Sequence, residues 1–119
     1  MNDFTLEPSP KDKTHTPLES ESLRQVIQAL RNHNLVAWVE RQNTGAIMVN
    51  GRFIKFGWRG CSNLLGQLTD GRLLAVECKR PKGGKLSDDQ AFFLEQVRNH
   101  GGVSFVAKSL HDVFNNLGD

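Results

Sequence analysis

The sequence lacks the features that mark membrane, secreted and fibrous proteins. No apolar run approaches the roughly 18 residues that span a bilayer, and no basic and then apolar segment opens the chain, so we expect neither a membrane span nor a secretory signal. Only two cysteines are present, Cys61 and Cys78, and they form no CxxC pair, which argues against a zinc site. Two free thiols are typical of a reducing cytoplasm, although one disulfide stays possible on sequence grounds.

Proline is also scarce, and three of the four prolines lie near the start, at Pro8, Pro10 and Pro17. Together with scattered charges they predict a flexible arm over residues 1–17, because such a segment buries too little apolar surface to offset its ordering entropy. Residues 18–119 are then enough for one domain and leave no room for a second core. A composition of 38% hydrophobic and 24% charged residues suits a folded chain and excludes collagen-like and coiled-coil classes.

Positive charge is unevenly distributed. The net charge of +2 combines an acidic first segment, residues 1–20, with a basic remainder, which holds thirteen bases and nine acids. Four of those bases cluster between positions 79 and 85, at Lys79, Arg80, Lys82 and Lys85. A basic loop favours a polyanionic partner, because each phosphate contact releases counterions. A solvated surface loop is the alternative interpretation.

Apolar spacing and capping signals predict three helices. The first begins near Ser20 or Ser22 and carries one apolar stripe. Its members are Leu23, Val26, Ile27 and Leu30. The second follows Ser87, which with Gln90 has the spacing of a capping box, and runs to about residue 100. A last short helix follows Ser109 as its N-cap.

The predicted strands are short and mostly paired by tight turns. They cover residues 35–39, 46–49, 52–56, 63–68, 73–79 and 103–107. Asn50-Gly51 and Asp70-Gly71 predict two hairpins, and the apolar run 73–76 predicts a central strand. The order of helices and strands predicts an α/β fold, with a mixed sheet flanked by helices.

One strand ends in a charged pair. Because side chains alternate along a strand, Glu77 and Lys79 share a face and Cys78 points to the other. Charges at the end of a buried strand are costly unless they are paired or bind a metal. A carboxylate that binds a divalent cation, beside a lysine, suits the hydrolysis of a phosphodiester. A surface ion pair on an edge strand is the alternative interpretation.

These residues resemble a known family. Glu77-Cys78-Lys79, preceded by Gly60-x-Ser62-Asn63-Leu64-Leu65-Gly66, resembles the VRR-Nuc branch (virus-type replication-repair nucleases) of the PD-(D/E)XK nuclease superfamily. Further matching segments are Arg41-x-Asn43-Thr44-Gly45-Ala46, Lys79-Arg80-Pro81, Lys85-Leu86-Ser87-Asp88-Asp89-Gln90-x-x-Phe93 and Gly101-Gly102-Val103. The likeness spans about residues 19–114 and implies a small restriction-endonuclease-like core. Glu-x-Lys alone is weak evidence, whereas its combination with the two flanking motifs is specific.

The resemblance implies a role for each matching position. Glu77 and the backbone carbonyl of Cys78 would be metal ligands. Lys79 would be the catalytic lysine, and Gln90, at the start of the second helix, would reach the site. A glutamate of the first helix usually joins the metal, which implies Glu21.

The implied metal site leaves an alternative at one position and departs from the family at another. Glu19 is the alternative to Glu21, because the register of the first helix is uncertain from sequence. The family has an aspartate, its principal metal ligand, where this chain has Asn63. An amide keeps one oxygen and loses the negative charge, so a hard cation should bind more weakly.

The resemblance implies a Mg²⁺- or Mn²⁺-dependent DNA endonuclease that cuts branched DNA such as four-way junctions in repair and recombination. Its stand-alone phage and bacterial members act as homodimers, which implies a homodimer in a bacterial cytoplasm. Asn63 would weaken or abolish the activity. The alternative is a non-catalytic nucleic-acid-binding module with a degenerate site. A sequence-specific restriction-type enzyme is disfavoured, because no separate recognition segment is visible.

The nucleic-acid contacts implied beside such a site come from two segments. They are Arg80, Lys82 and Lys85 of the basic loop and Arg41, Asn43 and Thr44 before the first hairpin. Bases and aromatic residues also interleave over residues 52–59, which is typical of a nucleic-acid surface, or Phe56 and Trp58 pack in the core. Residues 53–58 and the first helix are the candidate dimer surfaces.

Overall fold

The computed structural model describes residues 17–43 and 45–119. Within these ranges the elements are α1 (Pro17–Arg31), β1 (Val36–Arg41), β2 (Gly45–Val49), β3 (Arg52–Phe56), β4 (Leu64–Leu68), β5 (Leu73–Cys78), α2 (Asp88–Asn99), β6 (Val103–Ala107) and α3 (Leu110–Leu117). The α/β prediction is confirmed, since a mixed four-stranded sheet is flanked by the three helices. None of these helices has the length and apolar character needed to cross a membrane.

Strand β5 lies in the interior of the sheet, as its apolar run predicts. The strand order is β1-β4-β5-β6, with antiparallel pairing on either side of β4 and parallel pairing of β5 with β6. On one face of β5, Leu74, Val76 and Cys78 pack into the larger core cluster, which includes residues of α1 and α3. On the other face Ala75 packs against α2. Both faces are therefore covered, and any charge on β5 is held away from water.

The start of α1 differs from the prediction. The helix begins at Pro17 rather than near Ser20 or Ser22. Proline suits the first turn of a helix, because the N–H that it lacks would have no partner there and its φ is already helical. The remainder of the predicted arm, residues 1–16, lies outside the described residues.

The capping box of α2 is confirmed. The Ser87 hydroxyl accepts a hydrogen bond from the Gln90 backbone N–H at 3.1 Å, and the Gln90 side-chain oxygen accepts from the Ser87 N–H at 3.0 Å. This reciprocal pair fixes both the start of α2 and the direction of the Gln90 side chain. Ser109 is the N-cap residue of α3, but its side chain makes no capping hydrogen bond.

Both predicted hairpins are present. Asn50 and Gly51 have positive φ values of 51° and 79°, as a two-residue turn requires. They join β2 and β3, which form a separate two-stranded sheet. The turn at Asp70-Gly71 joins β4 and β5 inside the main sheet.

Gly66 allows β1 and β4 to approach closely. It pairs with Val39, next to an irregularity in the register between Val36 and Trp38. A Cβ atom at position 66 would overlap the Trp38 backbone carbonyl oxygen. Since backbone atoms cannot move aside as a flexible side chain can, only glycine fits here.

We expect Gly66→Ala to lower the free energy of unfolding by about 1–3 kcal/mol, because the added methyl group forces the two strands apart. Thr69→Ala, an exposed change in the turn of the same β4–β5 hairpin, should stay within about 0.5 kcal/mol. Urea unfolding followed by circular dichroism measures both. Equal stability of the two variants would show that the strands do not approach as described.

Candidate active site

A buried carboxylate lies at the centre of the candidate site. Glu77 is the penultimate residue of β5 and is 2% exposed, on the face that α2 covers. Its Oε1 accepts a hydrogen bond from the Asn63 backbone N–H at 3.1 Å, and its Oε2 accepts one from Gln90 Nε2 at 3.0 Å. The Lys79 Nζ lies 3.6 Å from the same Oε2. These donors offset the desolvation of the carboxylate, which would otherwise be costly.

Asn63 is held at the end of the sheet by its neighbours on both sides. Its Oδ1 accepts a hydrogen bond from the Cys78 backbone N–H at 2.5 Å, and its backbone carbonyl accepts one from Gln42 N–H at 2.7 Å. The amide oxygen of Asn63 therefore continues the β4–β5 ladder past Leu64. An aspartate could accept the same bond with one carboxylate oxygen and would add a negative charge at this end of the sheet, so position 63 can accommodate a carboxylate.

The predicted geometry of the Glu-x-Lys pair is confirmed, and the edge-strand alternative is wrong. Glu77 and Lys79 lie on one face and contact each other, while Cys78 is in the core on the opposite face. The Lys79 side chain is only 18% exposed, so the pair is largely shielded from water. Gln90 makes both of its predicted contacts, because its side-chain oxygen caps α2 while its Nε2 donates to Glu77; its catalytic role stays a prediction.

The conformation of the loop before β4 is held by contacts that only the structure shows. Gly60 has a φ of 83°, and a Cβ atom there would press on Asp89 in the first turn of α2. Ser62 is buried and its hydroxyl donates to the Leu64 carbonyl at 2.7 Å. No role for Ser62 was predicted from the sequence, although its place in the Gly60-x-Ser62 motif was the available signal. The serine fixes the turn that directs Asn63 toward Glu77.

Both cysteines are buried free thiols, so the disulfide that the sequence left possible is not formed. Cys61 lies two residues before Asn63. Burial raises the pKa of its thiol, hydrogen bonds with Ser62 oppose this, and the negative charge of Glu77 adds to it. The protonated thiol is therefore favoured in the folded protein.

Glu21 is not joined to this cluster by a hydrogen bond. It is exposed on α1, where its carboxylate pairs with Arg24 at 2.6 Å and accepts from Gln25 at 3.2 Å. The side chain of Glu19, the alternative, is outside the described residues. The metal-binding roles of Glu21 and Glu19 therefore stay predictions.

The potential metal donors of the site are oxygen atoms with a single negative charge. They are the Glu77 carboxylate, the Asn63 amide oxygen and the Cys78 backbone carbonyl. This donor type suits Mg²⁺ or Mn²⁺. No group of three or more His, Cys, Asp or Glu that could hold a metal ion is found in the described ranges. The residues present thus fit such a cation in kind but offer it little charge.

Several predicted nucleic-acid contacts lie beside the cluster. The exposed Lys82 and Lys85 belong to the loop between β5 and α2, and the partly buried Arg80 follows Lys79 directly. At Gly84 this loop passes against the Lys79 side chain. The exposed Arg41 pairs with Leu64 at the end of β1, and Asn43 is exposed nearby, whereas Thr44 lies outside the described residues.

The aromatic residue Trp58 lies at the margin of the site rather than in the core. It is 55% exposed, and its ring meets Phe93 of α2 edge to face at a centroid distance of 5.2 Å. Arg59 pairs with Asp89 of α2 at 3.1 Å. Neither contact was predicted. The side chain of Phe56 is not described.

Comparison of the chain with family models, curated proteins and solved structures finds no match. The likeness to the VRR-Nuc nucleases therefore stays a prediction carried by the motifs.

We expect Lys79→Ala to lower the free energy of unfolding by about 3 kcal/mol, because it removes the ammonium ion from a buried carboxylate. Adding Glu77→Gln should recover part of this loss, since the amide can still accept the Asn63 N–H. Lys85→Ala, an exposed lysine of the adjoining loop, should change stability by less than about 0.5 kcal/mol. Urea unfolding of the four proteins tests the pairing, and a loss no larger in Lys79→Ala than in Lys85→Ala would contradict it.

Cys61 should react slowly with iodoacetamide in the folded protein at neutral pH, because only the thiolate reacts and the raised pKa disfavours it. A pKa raised on folding also means that stability is lost as the pH rises above the usual thiol range. Mass spectrometry of alkylation across pH, with the urea-unfolded chain as the control, measures the reactivity, and urea unfolding over the same pH range measures the loss of stability. Equal rates in the folded and unfolded chains would contradict the burial.

Proposed function

We propose that this chain has the architecture of a metal-dependent DNA endonuclease that hydrolyses phosphodiesters in branched DNA, with its activity weakened or abolished by Asn63. The observation that carries this proposal is the convergence of Asn63, Glu77, Lys79 and Gln90. They come from three separate segments, yet they form one cluster around Glu77, held by hydrogen bonds and an ion pair. These are the positions for which the VRR-Nuc resemblance implies catalysis.

Each residue has a distinct task in this proposal. Glu77, with oxygens of Asn63 and Cys78, would hold Mg²⁺ or Mn²⁺. Such an ion, when bound, activates water and neutralises the charge that develops on the phosphate. Lys79 is close enough to the Glu77 carboxylate to orient a water molecule or a phosphate oxygen beside it. Gln90 keeps the Glu77 carboxylate in place from the first turn of α2.

The missing charge at position 63 sets the expected activity. An aspartate beside Glu77 would provide two carboxylates, as hard divalent cations prefer. Replacing that carboxylate with an amide removes on the order of several kcal/mol of Coulomb attraction to a cation in a partly buried site. Asn63 therefore supports the proposal of a weakened enzyme. It is equally consistent with an Asp→Asn change that inactivated a parent nuclease.

The substrate and assembly follow from charge and symmetry. Exposed cations on the flanking loops favour the phosphate backbone of DNA, and the VRR-Nuc resemblance implies a four-way junction. One chain supplies one site, so symmetric cutting of two strands requires two chains, and we propose a homodimer. The resemblance to phage and bacterial members suggests a bacterial cytoplasm as the location.

A second candidate function is a DNA-binding module that does not cut. The donor set favours it, because no group of three or more His, Cys, Asp or Glu that could hold a metal ion lies among the described residues. The buried Glu77 would then serve as a structural anchor for the loop at Asn63. The two functions differ in whether a restored carboxylate also restores cleavage.

We expect Asn63→Asp to create cleavage of a labelled four-way junction that requires Mg²⁺ or Mn²⁺ and stops with chelator. The new carboxylate can keep the hydrogen bond to the Cys78 N–H while it adds charge. The increase over the parent chain should be at least about tenfold, the equivalent of 1.4 kcal/mol. Gel assays on junction, flap and linear duplex DNA measure it.

The controls separate a restored site from a contaminating nuclease. Asn99→Asp adds the same charge at the far end of α2 and should not cut. Glu77→Ala in the Asn63→Asp background should abolish the new cleavage. If Asn63→Asp binds the junction and leaves it intact with either metal, the DNA-binding module becomes the function.

A further inference from the structure

The β2–β3 hairpin stands apart from the main sheet. Its strands pair with each other, residue Ile47 with Ile54 and Met48 with Phe53. In the described part of the chain neither strand packs extensively against another helix or strand. A two-stranded sheet alone is marginally stable in water, so a partner that covered this hairpin would stabilise it.

Each face of this hairpin carries an exposed apolar cross-strand pair. Met48 and Phe53, a cross-strand pair, are 63% and 71% exposed. Ile47 and Ile54 form the corresponding pair on the other face and are also exposed. Adjacent exposed apolar side chains of this size mark an interaction surface rather than ordinary surface variation.

Charge decides which partner fits the hairpin. Between Glu40 and Asp70 the sequence has no acidic residue and four basic ones, Arg41, Arg52, Lys55 and Arg59. Arg52 and Lys55 are exposed on the hairpin itself. The hairpin of a second copy would bring like charges together, whereas a polyanion is attracted. Nucleic acid is therefore the favoured occupant.

Both ends of the hairpin are anchored at the candidate active site. On the incoming side the Gln42 N–H donates to the Asn63 carbonyl at 2.7 Å. On the outgoing side the Cys61 N–H donates to the Trp58 carbonyl at 3.1 Å, and the Trp58 ring rests on Phe93. Each strand of the hairpin has five extended residues, which reach about 17 Å from these anchored ends. DNA bound at Glu77 would lie within reach of the hairpin.

We propose that the β2–β3 hairpin is a DNA-binding arm whose face with Met48, Phe53 and Lys55 meets the DNA, with Lys55 on a phosphate and Phe53 and Met48 against bases that are unstacked at a branch point. Apolar side chains insert between base steps in other DNA-binding proteins, and aromatic rings stack on exposed bases. This inference rests on the proposed function and assigns the recognition of branched DNA to a surface outside the catalytic cluster.

Fluorescence anisotropy tests the arm with the full chain, a labelled four-way junction and a linear duplex of the same sequence, over a salt series. Lys55→Gln should weaken binding to both DNAs and reduce the salt slope by about one, for the one lost phosphate contact. Phe53→Ser should weaken junction binding by about tenfold or more, leave the salt slope unchanged and affect the duplex less. Arg98→Gln, at the far end of α2, is the matched charge control.

The outcomes separate the arm from the proposed function. If the hairpin variants bind both DNAs as the parent does while Asn63→Asp still cuts, the arm is wrong and the proposed function stands. If the parent chain and Arg98→Gln bind neither DNA, the DNA-binding arm and the proposed function are both wrong. Light scattering adds a third outcome: a dimer that Phe53→Ser converts to a monomer without a change in DNA affinity identifies a self-association surface and overturns the arm.

Discussion

The burial of one carboxylate governs the organisation of this protein. Glu77 lies in an interior strand that is covered on both faces, and a charge there must be balanced by donors. The donors come from the loop before β4, the end of β5 and the first turn of α2, so one requirement brings three distant segments together. The same requirement determines where a cation or a phosphate could be bound, since the remaining oxygen donors lie at this end of the sheet.

The residues around the carboxylate are constrained by geometry as well as by charge. Gly66 permits the close approach of β1 and β4, and Gly60 allows the preceding loop to lie against α2. Ser62 holds the turn between them. Within this frame Asn63 occupies its position through its amide oxygen, which a carboxylate could replace without a change of shape. An aspartate at this position would therefore add a charge without changing the shape of the cluster, which is how the fold bears on the proposed loss of activity.

Local signals were sufficient for most of the secondary structure. The Asn50-Gly51 turn and the capping box of Ser87 and Gln90 depend on neighbours only a few residues apart, and both are present. The alternation that places Glu77 and Lys79 on one face is equally local. The start of α1 at Pro17 was misjudged, because Pro17 was assigned to the flexible arm although proline is favoured in the first turn of a helix. The implied role of Glu21 depends on how α1 packs on the sheet, which no local pattern reports.

The sequence by itself determined the order of the elements, the buried central strand and the chemical identity of the candidate site, because apolar periodicity and residue type are properties of short segments. Only the tertiary structure decided which side chains meet. The bond from Gln90 to Glu77, the contact of Trp58 with Phe93 and the separation of the β2–β3 hairpin from the main sheet all join or divide residues far apart in the chain. Such relations arise from packing and from the need to satisfy buried charge, and they exist only once the whole sheet has formed.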